Sequence, residues 1–315
     1  MTFRVALLAV GVPVVIAGAL AYLAIYVSGV YGLALFFAVP LMIGWLATAL
    51  LRIARGPRSL SDCLSISAAA ALVLASAFLV VRAEGLACIL MALPLSAPMI
   101  ILGSVVAYSL FHRREWNAIR ASAIVVTIVL TAIAIEPRFH HASSAVVADS
   151  ILVRASPRET WRAIVALDRI PQPHDWIYRL GVACPQRTRI VSPATNGLRV
   201  CTMSTGVVVE QIEVWRPEAM LRWRSQSAPP PMKELNPFAD VDPPHLHGYY
   251  EAPRGEFALA PAATNMTILT RRTWYTQELA PAYYWRWWCE LAINHVHRTV
   301  LEHVRDAAES KGARS

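Results

Sequence analysis

Charged side chains make up 16% of this 315-residue chain, against roughly 25% for an ordinary soluble domain, so each one set on an apolar face is informative. The first is Glu210. In the alternating run Val207 to Trp215 it shares a face with Val208, Ile212 and Val214, while Glu213 stands opposite among Val207, Val209 and Trp215. A carboxylate on an apolar face either pairs with a cation or holds its proton more tightly than usual. Arg271, on a later alternating run, or a bound molecule would supply the partner; if the face is the solvent side, Glu210 is only a surface charge. Held in a cavity, Glu210 has the chemistry of a general acid or base, as do Tyr275 and His245.

The histidines pair as His140-His141, His245-x-His247 and His295-x-His297. Positions i and i+2 diverge by about 200° on a helix, so His295 and His297 cannot share one ion, and His245 and His247 sit in a proline-rich loop with no carboxylate at ligand spacing. The sequence therefore implies no metal and no cofactor. Nucleophilic catalysis has no motif either, since there is no GxSxG and no cysteine with a matched histidine. The five cysteines include no CxxC pair. A hairpin turning at Asn196-Gly197 sets Cys201 opposite about Ser192, which offsets it from Cys184.

Around these few polar groups the chain is unusually apolar, 56% hydrophobic with a mean hydropathy of +0.44. The net charge of +8 divides evenly. Residues 1–136 carry 8 basic against 4 acidic residues and residues 137–315 carry 21 against 17, with no dense basic run, which argues against nucleic-acid binding. Long apolar runs fill the first part: 5–27, 31–51, 63–81, 85–111 and 121–135. About 20 residues cross the hydrocarbon core. The first four runs suffice. The fifth is short, and Trp116 and Arg120 at its start would extend it by reaching to the interface. The first run is read as an uncleaved span, since its length exceeds that of a signal peptide.

Arginine alternates along these loops. Arg4 precedes the first run; Arg52, Arg55 and Arg58 follow the second; Arg113, Arg114 and Arg120 follow the fourth; the remaining loops hold only Arg82 with Glu84. The positive-inside rule then sets the N-terminus in the cytoplasm, and five crossings set everything after Glu136 outside, in the periplasm of a bacterial cell. With no Asp, Glu, Lys or His in the middle of a run, no ion path is legible.

From Ser143 the pattern alternates. A strand, Ala145 to Val153, leads to Ser156-Pro157-Arg158-Glu159, a capping box with proline at the first helical position. Pro171 and Pro173 break the chain before a short helix, Trp176 to Leu180. Six strands follow, near Arg187–Val191, Leu198–Ser204, Val207–Trp215, Met220–Ser225, Glu256–Ala260 and Thr267–Tyr275, and a long helix runs from Ala282 to Glu309. This α+β order resembles the helix-grip fold of the SRPBCC superfamily, which includes START-like domains, polyketide cyclases and lipid-transport proteins. The likeness extends to Ile151 through Trp161, to Gly255-Glu256-Phe257-Ala258-Leu259, to Thr273-Trp274-Tyr275 and to Tyr284-Trp285, and the run Asp242 to Tyr250 is similar to a segment of membrane-linked members. The expected architecture is an N-terminal all-α transmembrane bundle, 1–136, and a C-terminal α+β helix-grip domain, 137–315, with a curved antiparallel sheet around a long C-terminal helix.

The resemblance implies an apolar cavity between helix and sheet. On a helical wheel Trp285, Trp288, Cys289, Ala292, Val296, Val300 and His303 share one arc, and Glu290, Asn294 and Arg298 lie opposite. Trp285, Trp288, Ala292 and Val296 on the helix, with Phe257, Leu259, Glu210 and Arg271 on the sheet, are thus the expected ligand-binding residues. The loop Ser227 to His247, with six prolines and several apolar side chains, reads as a rim over the cavity mouth or as a passive wrap. The implied function is a membrane-anchored binding or carrier protein for a hydrophobic small molecule or lipid. A cyclase- or aromatase-like enzyme using the same cavity, and a non-catalytic sensor or interaction module, are the alternatives.

Overall fold

The computed structural model describes residues 3–56, 58–113, 117–171 and 175–312; Arg114, Trp116 and Pro173 lie outside the described residues. The chain divides into two compact units.

The helical unit comprises Met1–His141 with two later segments, Glu234–Pro244 and Glu278–Pro281. Its helices are α1 (Phe3–Val27), α2 (Ala34–Arg55), α3 (Leu60–Val80), α4 (Leu86–Arg113) and α5 (Ala118–Ile135), all long and apolar enough to cross a membrane. Their ends follow local chemistry. Gly56, at φ 76°, stops α2. Ser59 and Asp62 form a capping box that starts α3. The Asn117 side chain accepts from the backbone N–H of Ile119 and Arg120, which starts α5 a turn earlier than its apolar run. α2 lies at the centre of the bundle, with Met42, Ile43, Trp45 and Leu46 buried. Two glycines let it meet α4 closely: a Cβ on Gly44 would stand 2.0 Å from the Ile100 carbonyl oxygen, and one on Gly103 2.0 Å from that of Leu41. Beside them the Ser104 hydroxyl meets that of Ser67 at 2.7 Å. At one end of the bundle, Glu136 after α5 accepts from the backbone N–H of Leu33 and Ala34, capping α2, and Tyr31 donates to Glu84 at 2.9 Å.

The segment Glu234–Pro244 is fastened at that same end. Leu86 N–H donates to the Leu235 carbonyl, and the Asn236 amide donates to the carbonyls of Leu79 and Glu84. The middle of the proline-rich loop is thus held by the helices rather than hanging as a free rim, and the boundary between units falls after His141 rather than at Glu136.

The second unit is a curled, seven-stranded antiparallel sheet in the order β1-β7-β6-β5-β4-β3-β2, gripping one long helix. Its elements are β1 (Ser143–Val153), α6 (Pro157–Val165), α7 (Trp176–Arg179), β2 (Pro185–Ile190), β3 (Leu198–Met203), β4 (Gly206–Arg216), β5 (Met220–Ser227), β6 (Tyr250–Ala263), β7 (Met266–Gln277) and α8 (Ala282–Gly312). The helix α8 packs on β1, β7 and α6. The capping box at Ser156 and Glu159 opens α6, whose Trp161 meets Trp215 edge-on at 5.0 Å.

Two face assignments change. The β4–β5 ladder slips between Ile212 and Val214, so beyond that bulge the parity reverses: Trp215 turns to the core, and Val214 no longer shares the face of Glu210 and Ile212. Glu213 stays outside, paired with Arg224 and Arg254. On α8 the buried stripe is Trp285, Ile293, His297, Val300, Leu301, Val304 and Ala308, whereas Trp288, Cys289, Ala292, Val296 and His303 flank it half-buried. The long helix is thus rotated from the expected arc.

Candidate functional site

Alternation along each strand sends every second side chain into the grip, and at one level these side chains are polar. Arg199 and Cys201 come from β3, Glu210 from β4, Arg271 and Thr273 from β7, Asp149 from β1, and His297 from α8. Below them the interior is apolar, built from Val153, Ile212, Leu221, Phe257, Leu259 and Leu269 with Val300, Leu301 and Val304 of the helix.

Glu210 is buried, and its partner is Arg199, not Arg271. The two face each other directly in the β3–β4 ladder, and the guanidinium donates to the carboxylate. Arg199 also lies over the Trp223 ring at 4.2 Å. Burial raises the proton affinity of Glu210, against the opposing pull of Arg199 and then of Arg271. Arg271 faces the same space without a bond. Its guanidinium lies over the Phe257 ring at 5.4 Å, and its Nε–H is sealed from solvent with no acceptor among the described residues. Burial, and then the like charge of Arg199, lower its pKa to about 10, so it stays cationic at neutral pH.

Beside Arg271 runs a hydroxyl–imidazole–carboxylate row. His297 is fully buried; its Nδ1 meets Asp149 Oδ2 at 2.7 Å and its Nε2 meets Thr273 Oγ1 at 2.7 Å. Burial and the nearby Arg271 charge hold the imidazole well below its usual pKa, hence neutral. The arrangement that satisfies all three groups has Nδ1–H donating to Asp149 and the Thr273 hydroxyl donating to Nε2. Tyr178 of α7 closes this side, its hydroxyl 2.9 Å from that of Thr299.

The other expected residues fall around this layer. Phe257 and Leu259 belong to the apolar floor. Trp285 is buried and Trp288 half-buried, its Nε1–H sealed with no acceptor among the described residues. Ala292 and Val296 line the half-buried flank of α8. Tyr275 is buried against Tyr250, and its hydroxyl donates to Glu290 at 3.4 Å, so burial and that carboxylate raise its pKa. Glu290 accordingly turns toward the sheet, not to the opposite side as the wheel implied. His245 is buried in the 3-10 turn Pro244–Leu246, and the contacts that build the polar layer are made without it. Cys184 and Cys201 are free thiols. Arg199, His297, Asp149, Thr273 and Tyr178 were not anticipated.

No family model and no curated protein matches the chain. Solved structures similar to its C-terminal half include the Zhui aromatase/cyclase from Streptomyces sp. R1128 (12% identity, 53% of this chain and 94% of that one, TM-score 0.35). A START superfamily protein from Mycobacterium smegmatis matches at 9% identity over 52% of this chain and 97% of that one, TM-score 0.35. Norcoclaurine synthase from Thalictrum flavum matches at 10% identity over 54% and 88%, TM-score 0.35.

Proposed function

We propose that this is a membrane-anchored binding or carrier protein that holds a hydrophobic small molecule or lipid between α8 and the sheet, with the N-terminus in the cytoplasm and the sheet unit outside. One observation carries the reading: a buried guanidinium–carboxylate pair, Arg199 with Glu210, a buried imidazole, His297, and the sealed Nε–H of Arg271 are drawn into an otherwise apolar interior, with Asp149 at its partly exposed edge. Desolvating charge costs several kcal/mol per ion even after relaxation, and well-packed apolar side chains usually serve stability as well or better. A polar layer kept at that cost fits a site that must recognise something.

Native mass spectrometry of the full chain, released from detergent micelles, tests the reading. A co-purified apolar molecule of defined mass supports it. A chain that carries none, and takes up none from a lipid extract, favours a sensor or interaction module with a filled core.

A specific observation favours the enzyme as the second reading. The row Thr273–His297–Asp149 sets a hydroxyl, a neutral imidazole and a carboxylate in the order that lets an imidazole accept a hydroxyl proton. In a cyclase-like reaction it would shuttle protons at a bound polyketone. Turnover that disappears in Thr273→Val, with ligand uptake retained, supports that reading over carriage.

A further inference from the structure

The charges inside the grip do not all find partners. Glu210 is taken by Arg199, and Asp149, which lies across the β1–β7 ladder from Arg271, is taken by His297. Both carboxylates near Arg271 are therefore committed elsewhere, and no ion pair or hydrogen bond to Arg271 is formed among the described residues. His297 is neutral, so it neither competes for an anion nor repels one.

We propose that the ligand is an amphipathic acid, a long apolar body with one carboxylate, and that Arg271 is its anchor; the proposal rests on the binding reading above. The guanidinium carbon lies 5.4 Å from the centre of the Phe257 ring, and the Nε–H has no acceptor among the described residues and can donate. A carboxylate accepts two parallel N–H bonds from a guanidinium edge. Asp149 keeps its own charge beside a neutral imidazole but makes no ion pair with Arg271, so the guanidinium N–H groups stay available to a carboxylate. A doubly charged phosphate head would need a second donor cation, and Arg199 is already committed to Glu210. Phe257, Leu259 and Leu269 belong to the apolar core beside the anchor, which would repack around the body of the molecule. A guanidinium lowered by burial and by Arg199 regains its solvation only when an anion arrives, so binding relieves a cost already present in the empty protein.

The experiment uses the full chain in lipid nanodiscs, titrated calorimetrically with dodecanoate and separately with dodecanol, with heats from empty discs subtracted. The wild type should bind the acid about ten- to a hundredfold more tightly than the alcohol, the range expected for charge-assisted hydrogen bonds. Arg271→Gln should abolish that preference while leaving dodecanol binding nearly unchanged, and Arg271→Lys should keep part of it. Equal binding of acid and alcohol by the wild type overturns the anchor and leaves the binding reading standing. A preference that survives in Arg271→Gln does the same. Binding of neither probe overturns both. Should Arg271→Gln fail to fold, the wild-type comparison and Arg271→Lys still decide.

Discussion

Arg199 and Glu210 occupy directly opposed positions in the β3–β4 hairpin, and both side chains are buried within the grip. Among the described residues neither charge has another ion-pair partner, so each depends on the other. Arg199→Met should strand the carboxylate and cost about 3–5 kcal/mol of stability, whereas the double variant Arg199→Met/Glu210→Met should recover most of that loss. Urea unfolding of the four members of this cycle measures the coupling. Additive losses would show that the pair contributes nothing as a pair.

Core position, rather than aromatic character, should decide the cost of truncation. Phe257 is 1% exposed and packs against Trp223, so Phe257→Ala should lose about 3–5 kcal/mol. Trp288 is half-buried, its Nε1–H without an acceptor among the described residues, and its removal also removes that penalty, so Trp288→Ala should lose only about 1–2 kcal/mol. Equal losses in the same unfolding assay would contradict the orientation of α8.

In the helical unit the close approach of α2 and α4 depends on Gly44 and Gly103. Their neighbours are backbone carbonyls, which cannot swing aside as a side chain would. Gly44→Ala and Gly103→Ala should each destabilise the bundle by about 1–3 kcal/mol, the usual range for overpacking, and lower the melting temperature in detergent. An unchanged melting temperature for both would mean that the helices separate at no cost.

Topology is testable from one end of the bundle. Glu136, at the end of α5, caps α2 at Leu33 and Ala34, so the end of the fifth helix lies beside the loop between the first two. By the positive-inside rule the arginine-poor character of that loop is what is expected of a loop outside the cytoplasm. A phosphatase that folds only outside, fused after Ser315, should be active. Activity of a cytoplasmic reporter at the same position would reverse the orientation.

Much of the fold was legible because it follows local rules. Most strands of the second unit announce themselves by alternation, although β6 begins six residues before its alternating stretch, and Ser156-Pro157-Arg158-Glu159 fixes the start of α6. The site was less legible. Glu210 was identifiable as a carboxylate on an apolar face, but its partner depends on register: a turn just before Gly206 is what sets Arg199 opposite it. The bulge after Ile212 has no sequence signature, since it shifts parity with ordinary residues. His297 reads as a polar interruption of a helix until Asp149, 148 residues away, is brought against it by the sheet. The proline-rich loop advertised apolar residues in need of burial, yet composition does not say which surface covers them, and Glu234–Pro244 packs with the helices.

His297 makes the stability of the sheet unit depend on pH in a predictable sense. Its pKa is depressed in the fold, first by burial and then by Arg271, whereas in the unfolded chain it titrates near 6.5. Below that pH the unfolded chain binds a proton that the folded chain refuses, so its contribution to stability is present above about pH 6.5 and is lost as the pH falls. The slope for one such group is about 1.4 kcal/mol per pH unit, giving a loss of about 2 kcal/mol between pH 6.5 and 5. Asp149 works in the opposite sense at lower pH because burial raises its pKa, so the comparison stops near pH 5. The difference between wild type and His297→Gln is the informative quantity, because it isolates this one imidazole. The variant should be less stable at neutral pH, because Gln reproduces the two hydrogen bonds imperfectly, yet its stability should fall less steeply on acidification. Parallel pH profiles for the two proteins would mean that the imidazole is already charged in the fold, and would remove the neutral hydroxyl–imidazole–carboxylate row on which the enzyme reading depends.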